Sequence, residues 1–210
     1  MPDIVAKTTY SRYLIVLATA ALSVAALLLM RSALQDRLAR AGHERELASI
    51  AAVLPAELYD NDPLADRIDV HDRASFGADT TTVLRARLHG QASAVVLRAT
   101  VPKGYSGPIE LLIGLRSDGS VLGVRVTTHR ETPGLGDAIE QVGDGAWIRA
   151  FDGKSLNRPL PEQWAVQRDS GDFDQISGAT VTARAIVVQM KKILMYFSAH
   201  RNELFALKVP

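Results

Sequence analysis

The chain has 210 residues, enough for one ordinary domain plus an accessory segment, and its charge is nearly balanced, with 24 Lys+Arg against 23 Asp+Glu. That balance offers no basic stripe to a nucleic acid, and no run of like charges marks a disordered tail. With no cysteine there are no disulfides, thiolate zinc sites, cysteine-held iron–sulfur clusters or Cys nucleophiles; the five histidines are scattered without metal-ligand spacing, so redox chemistry would fall to a bound organic cofactor.

Residues 1–12 form an N-terminal flank. Residues 13–30 carry no charge and lie between Arg12 and Arg31. As a helix they would rise about 27 Å, close to the hydrocarbon thickness of a bilayer. Nine of the eighteen are Leu, Ile or Val, contributing about −3 to −5 kcal/mol to insertion. The spacing therefore predicts a single transmembrane helix. The alternative is a cleaved signal peptide, but the apolar run is long for one and no small-x-small cleavage site follows it. Lys7 and Arg12 precede the span while Arg31, Arg37, Arg40 and Arg45 follow it. Counted naively, the positive-inside rule would leave the C-terminal part in the cytoplasm, although large domains translocate regardless of nearby charge.

Residues 31–58 read as a helical stalk, with Leu34, Leu38, Leu47, Ile50 and Leu54 at near-helical spacing up to Pro55. The main domain spans 59–210. Its first part, 59–80, is rich in Asp, Pro and Gly and is expected to be irregular. The period then becomes two: 84–88 is a half-buried strand with Arg85 and Arg87 facing outward, and 95–101 is a second strand. Residues 108–116 and 121–128 flank Ser117-Asp118-Gly119-Ser120 as a hairpin. A short helix interrupted by Gly143 and Gly145 is predicted over 137–151, and a last strand over 164–167. From Thr180 to Leu207 runs the strongest helix, with Ile186, Met190, Ile193, Leu194 and Phe197 on one face. The fold class is α+β: an antiparallel sheet with packed helices behind one N-terminal transmembrane helix.

Two stretches could carry chemistry. Ser177-Gly178-Ala179-Thr180 opens the long helix. By pattern alone it is a helix cap. The same position is also a phosphate site, where free amides and the helix dipole favour an anion by roughly 0.3–1 kcal/mol. His129-Arg130-Glu131-Thr132-Pro133-Gly134-Leu135-Gly136 follows the hairpin. It reads either as a Pro-Gly turn or as a loop that lines a ligand with His129, Glu131 and Thr132. It lacks the third glycine and the βαβ setting of a dinucleotide fingerprint, and no P-loop or nucleophile elbow occurs. A hydrolase built on Ser177 and His129 would want an orienting carboxylate that nothing marks.

Asp174-x-x-Ser177-Gly178-Ala179-Thr180 resembles the flavinylation motif of the FMN-binding domain family. So do Gly104-Tyr105-Ser106-Gly107-Pro108-Ile109, the hairpin, the His129–Gly136 loop and Gly171-Asp172-Phe173-Asp174. With its anchor and stalk, the whole chain is similar to the flavoprotein G-subunit family of Rnf ion-translocating electron-transport complexes. The resemblance implies FMN joined through its phosphate to Thr180, with Asp174, Ser177, Gly178, Ala179 and Thr180 read by a flavin transferase. It also implies cofactor contacts from Ser177, Gly178, Ala179, His129, Glu131, Thr132 and Leu135, with Tyr105, Trp147 and Trp164 as candidate stacking partners. No catalytic residue and no metal ligand are expected. Thr182, about 200° around the helix from Thr180, could not share its pocket. The family's complex passes electrons between ferredoxin and NAD while moving Na⁺ or H⁺. Its partners are other membrane and cytoplasmic subunits, and this domain lies on the periplasmic side of the bacterial inner membrane, against the naive charge count. Two other readings stay open: the FMN subunit of the Na⁺-translocating quinone reductase, and a membrane-tethered sensor or binding module without covalent flavin.

Overall fold

The computed structural model describes residues 22–24, 30–31, 42–44 and 46–206. The flank 1–12 and nearly all of the transmembrane helix expected over 13–30, much of the stalk before residue 46, and Leu207 at the end of the last helix lie outside them. No helix among the described residues is long and apolar enough to cross a membrane. The compact unit that begins at Ala48 holds the sheet and the candidate site.

Five antiparallel strands follow one another as a meander: β1 (Arg67–Val70), β2 (Thr81–Leu88), β3 (Gln91–Val101), β4 (Ile109–Arg116) and β5 (Val121–Thr128). The central strands are near-continuous buried runs, not half-buried ones, because each side of the sheet is covered. Val95, Leu97, Ile113, Leu115 and Val124 share one core with Ile186, Met190, Ile193 and Phe197 of the last helix, α2 (Thr180–Phe205). Leu84, Ala86, Ala94, Val96 and Leu112 share the opposite core with Ile50, Val53 and Leu54. Backbone meets backbone on that side: a side chain at Gly114 would come within 2.0 Å of the Val53 carbonyl oxygen. The turns use residues that accept left-handed backbone. His89 and Gly90, at φ 52° and 74°, join β2 to β3. Between β4 and β5, the Ser120 N–H and hydroxyl both donate to the Asp118 carboxylate.

Four further expectations change. Residues 59–80 are not wholly irregular: β1 pairs with β2, and α1 (Arg73–Phe76) is capped by Asp72, which accepts from the Ser75 N–H at 3.1 Å. These elements have four residues each, too few to set a period against the surrounding Asp and Gly. Over 137–151 there are two short 3-10 turns, Gly136–Glu140 and Trp147–Phe151, because Gly143 and Gly145 stand at φ 115° and 83° between them. Residues 164–167 are not a strand; 3-10 turns at Pro161–Gln163 and Gln167–Asp169 flank them, and Val166 makes one parallel bridge to Phe173. Arg85 is not outward but 2% exposed. It donates to Asp66 at 2.7 Å and to the Ala206 carbonyl, while Arg87 donates to the other Asp66 oxygen at 2.7 Å and to the Phe205 carbonyl at 3.2 Å. A buried guanidinium is tolerable only with such partners.

Candidate functional site

Three segments converge at the N-terminal end of α2: the β3–β4 connection, the loop after β5, and the first turn of the helix. Between them lies a cleft of about 150 Å³ lined by Tyr105, Glu131, Thr132, Leu135, Gly136, Gly178, Ala179 and Thr182. Their convergence follows from the meander. A hairpin returns β5 to the edge where β4 began, so the chain before β4 and the chain after β5 emerge side by side.

The helix start is left uncapped. Its first intrahelical bond runs from the Ala183 N–H to the Ala179 carbonyl at 3.1 Å, and no side chain caps it. The amides of Thr180, Val181 and Thr182 thus have no partner within the helix, the arrangement that favours an anion. Gly178, at φ 77°, takes a backbone conformation that L side chains rarely adopt, and a Cβ there would come within 2.7 Å of Leu135 Cδ2. Upstream, the Trp147 indole N–H donates to the Asp174 carbonyl at 2.7 Å, which fixes where the segment 174–180 begins.

The two threonines of the first turn differ sharply. Thr180 is half-buried at the first helical position. Thr182 is fully buried, and its hydroxyl donates to Glu131 Oε2 at 2.6 Å. The other Glu131 oxygen accepts the Ser106 N–H at 3.1 Å, so one carboxylate joins all three segments.

Of the residues picked from sequence, Glu131, Thr132, Leu135, Gly178 and Ala179 come together as cleft wall. Asp174 and Ser177 are exposed just before it. His129 stands behind the loop: its Nδ1 accepts the Glu131 N–H at 3.0 Å and its Nε2 faces Glu140 at 3.1 Å. Among the candidate stacking aromatics only Tyr105 lines the cleft, 71% exposed. Trp147 packs edge-on against Phe151, and Trp164 is buried between Phe151 and Phe173, with its N–H donating to the Pro159 carbonyl. Thr180 itself is not among the lining residues; the threonine in the wall is Thr182, which the sequence reading kept out of the pocket. Its signal was present: counting four residues back from Ile186 on the apolar stripe lands on Thr182, which points it inward.

A phosphorylated ring cofactor fits this set. Uncapped amides and a half-buried hydroxyl suit the phosphate, and Tyr105 and Leu135 offer apolar surface. Glu131 and Thr132 supply polar groups. The volume is below the roughly 300–1,000 Å³ of pockets that engulf a drug-sized ligand, so the cleft would not enclose such a ring.

The FMN-binding domain family matches residues 104–195, a span that contains all three cleft segments. The chain is 47% identical over 173 residues to the G subunit of the ion-translocating oxidoreductase complex of Pseudomonas aeruginosa, covering 82% of this chain and 80% of that protein. The corresponding G subunit of Cereibacter sphaeroides is 44% identical over 180 residues, 86% and 80% of the two chains. That of Aliivibrio fischeri is 37% identical over 202 residues, 95% and 96%.

Proposed function

The chain belongs to the G-subunit family of ion-translocating oxidoreductase complexes, and from that premise we propose that it is the FMN-carrying subunit of such a complex, with FMN held by a phosphoester on the Thr180 hydroxyl. The observation that carries the attachment site is the contrast within one helical turn. Thr182 is sealed from solvent with its proton committed to Glu131, whereas Thr180 is half-buried beside uncapped amides. A transferase can reach only the second of these.

When bound, the flavin supplies the electron-carrying chemistry. The residues of this chain position it. The first-turn amides of α2 offset the charge of the phosphate, Gly178 lets the backbone approach closely, and Leu135 and Tyr105 border the ring. Asp174, Ser177 and Gly178 are exposed and Ala179 is buried; these four lead into Thr180 as the run that a flavin transferase reads. The open mouth of the cleft leaves the ring accessible to the redox subunits of the complex, which are the partners in this reading. Residues 13–30 are the single membrane anchor, and the domain that follows lies in the periplasm of a bacterial inner membrane.

The attachment is tested in cells that contain the transferase, by ultraviolet fluorescence of the denatured band and mass spectrometry of the flavin peptide. Thr180→Val is expected to be dark and Thr182→Val to stay bright; a bright Thr180→Val band would move the flavin elsewhere. For topology, a C-terminal reporter active only outside the cytoplasm should be active, and an inactive one would reverse the orientation.

A further inference from the structure

Within the cleft, Glu131 is the residue that packing alone explains least. It is 4% exposed, and among the described residues no Lys, Arg or His forms an ion pair with it. Its two partners are neutral, the Ser106 N–H at 3.1 Å and the Thr182 hydroxyl at 2.6 Å. Burying a carboxylate without a cation is among the costlier things a fold can do. The backbone also closes around it. A Cβ on Gly104 would come within 2.7 Å of Oε1, and one on Gly136 within 2.8 Å of Oε2. These approaches hold the group against the cleft instead of letting it turn to water.

A purely structural pin needs no charge here. Gln at the same position could accept the Ser106 N–H through its carbonyl and donate its amide to the Thr182 oxygen, joining the same three segments. What Glu supplies and Gln does not is a negative charge in a water-poor wall.

Resting on the proposal that FMN occupies this cleft, we propose that Glu131 is a redox-tuning residue whose charge holds the bound flavin at a lower potential than a neutral side chain would. An electron delivered by a redox partner adds one negative charge to the cleft. A fixed carboxylate in its wall opposes that addition, and the opposition persists where the local dielectric is low. Glu131 acts on the cofactor through space, as a positioning charge, and transfers no electron or proton.

The test is a redox titration of the flavin-loaded full chain, followed by flavin absorbance. At a fixed poise, Glu131→Gln should raise the ratio of reduced to oxidised flavin about tenfold, which is about 59 mV for a one-electron step. Glu140→Gln removes a carboxylate that is 57% exposed on the far side of His129, and should change the ratio less than twofold. Thr182→Val leaves the charge in place but strips Oε2 of its donor, so the ratio should fall below that of the wild type. Opposite signs for the two cleft variants separate charge from simple loosening, which would move both the same way. The proposal is overturned if Glu131→Gln titrates with the wild type, or if both variants shift together. Should Glu131→Gln take up no flavin, the direction of the Thr182→Val shift alone decides. Fluorescence of the denatured wild-type band keeps the two questions apart, since a wild-type chain without flavin would sink the cofactor reading itself.

Discussion

At its N-terminal end α2 leaves the amides of its first turn without a side-chain cap beside an open cleft, whereas at its C-terminal end the carbonyls of Phe205 and Ala206 are held by two arginines that share Asp66. One helix thus has one end tied down by the fold and the other left uncapped beside the cleft. The difference shows in burial as well. Arg85 is 2% exposed, while Tyr105, Leu135 and Val181 around the other end are 71%, 46% and 46% exposed. Binding groups tend to lie where the scaffold spends little of its own hydrogen bonding, and the scaffold recovers that stability elsewhere.

The comparison breaks if damage at one end is felt at the other. Arg85→Met should have the largest effect, about 2–3 kcal/mol in urea unfolding, because it leaves Asp66 with Arg87 alone and strands the Ala206 carbonyl. Flavin attachment in the folded fraction should be unchanged; loss of attachment at temperatures where the variant is folded would show the two ends to be coupled.

Acid should reach the same clamp next. Burial alone would raise the Asp66 carboxyl, but hydrogen bonds and attraction from Arg87 and Arg85 outweigh it and hold the group below the usual Asp range. A depressed folded value means that the stabilisation is fully present above the ordinary Asp pKa of about 3.9 and is lost as pH falls through the folded value. The gap in urea midpoint between wild type and Asp66→Asn should therefore be widest near neutrality and close on acidification. A gap independent of pH would mean that Asp66 contributes through packing alone.

The smallest effect is expected at the ligand end. Gly178→Ala imposes φ 77° on a residue with a side chain, about 1–2 kcal/mol. The Leu135 methyl it meets can give way, so the fold should persist while flavin attachment slows. Attachment at the wild-type rate would show that close backbone approach at 178 is not needed.

The sequence made the sheet and the helix readable where period and length agreed. Strands β3 to β5 carry eight or more residues each, and α2 repeats its apolar stripe over several turns. It hid β1, whose four residues cannot establish a period, and it suggested a strand at 164–167 because Trp164 and Val166 alternate for reasons of their own, each filling the core beside Phe173. Arg85 looked outward because charge is usually solvated; its partners are a carboxylate 19 positions before it and a carbonyl 121 positions after it. The cleft was half legible. Its loop and helix start are contiguous motifs, but the bond from Thr182 to Glu131 spans 51 positions and depends on the meander bringing two chain ends to one edge.

The Val53 carbonyl, lying where a side chain of residue 114 would otherwise be, has a practical consequence for where the chain can be cut. Ile50, Val53 and Leu54 cover Leu84, Ala86, Ala94, Val96 and Leu112. A soluble fragment that begins after Leu54 would bare a flat apolar sheet face, the kind of surface that drives self-association. Fragments that start after residue 30 and no later than Ala48 keep that cover and should stay monodisperse, while a protease nick within 50–54 would convert a stable domain into an aggregating one without touching the cleft.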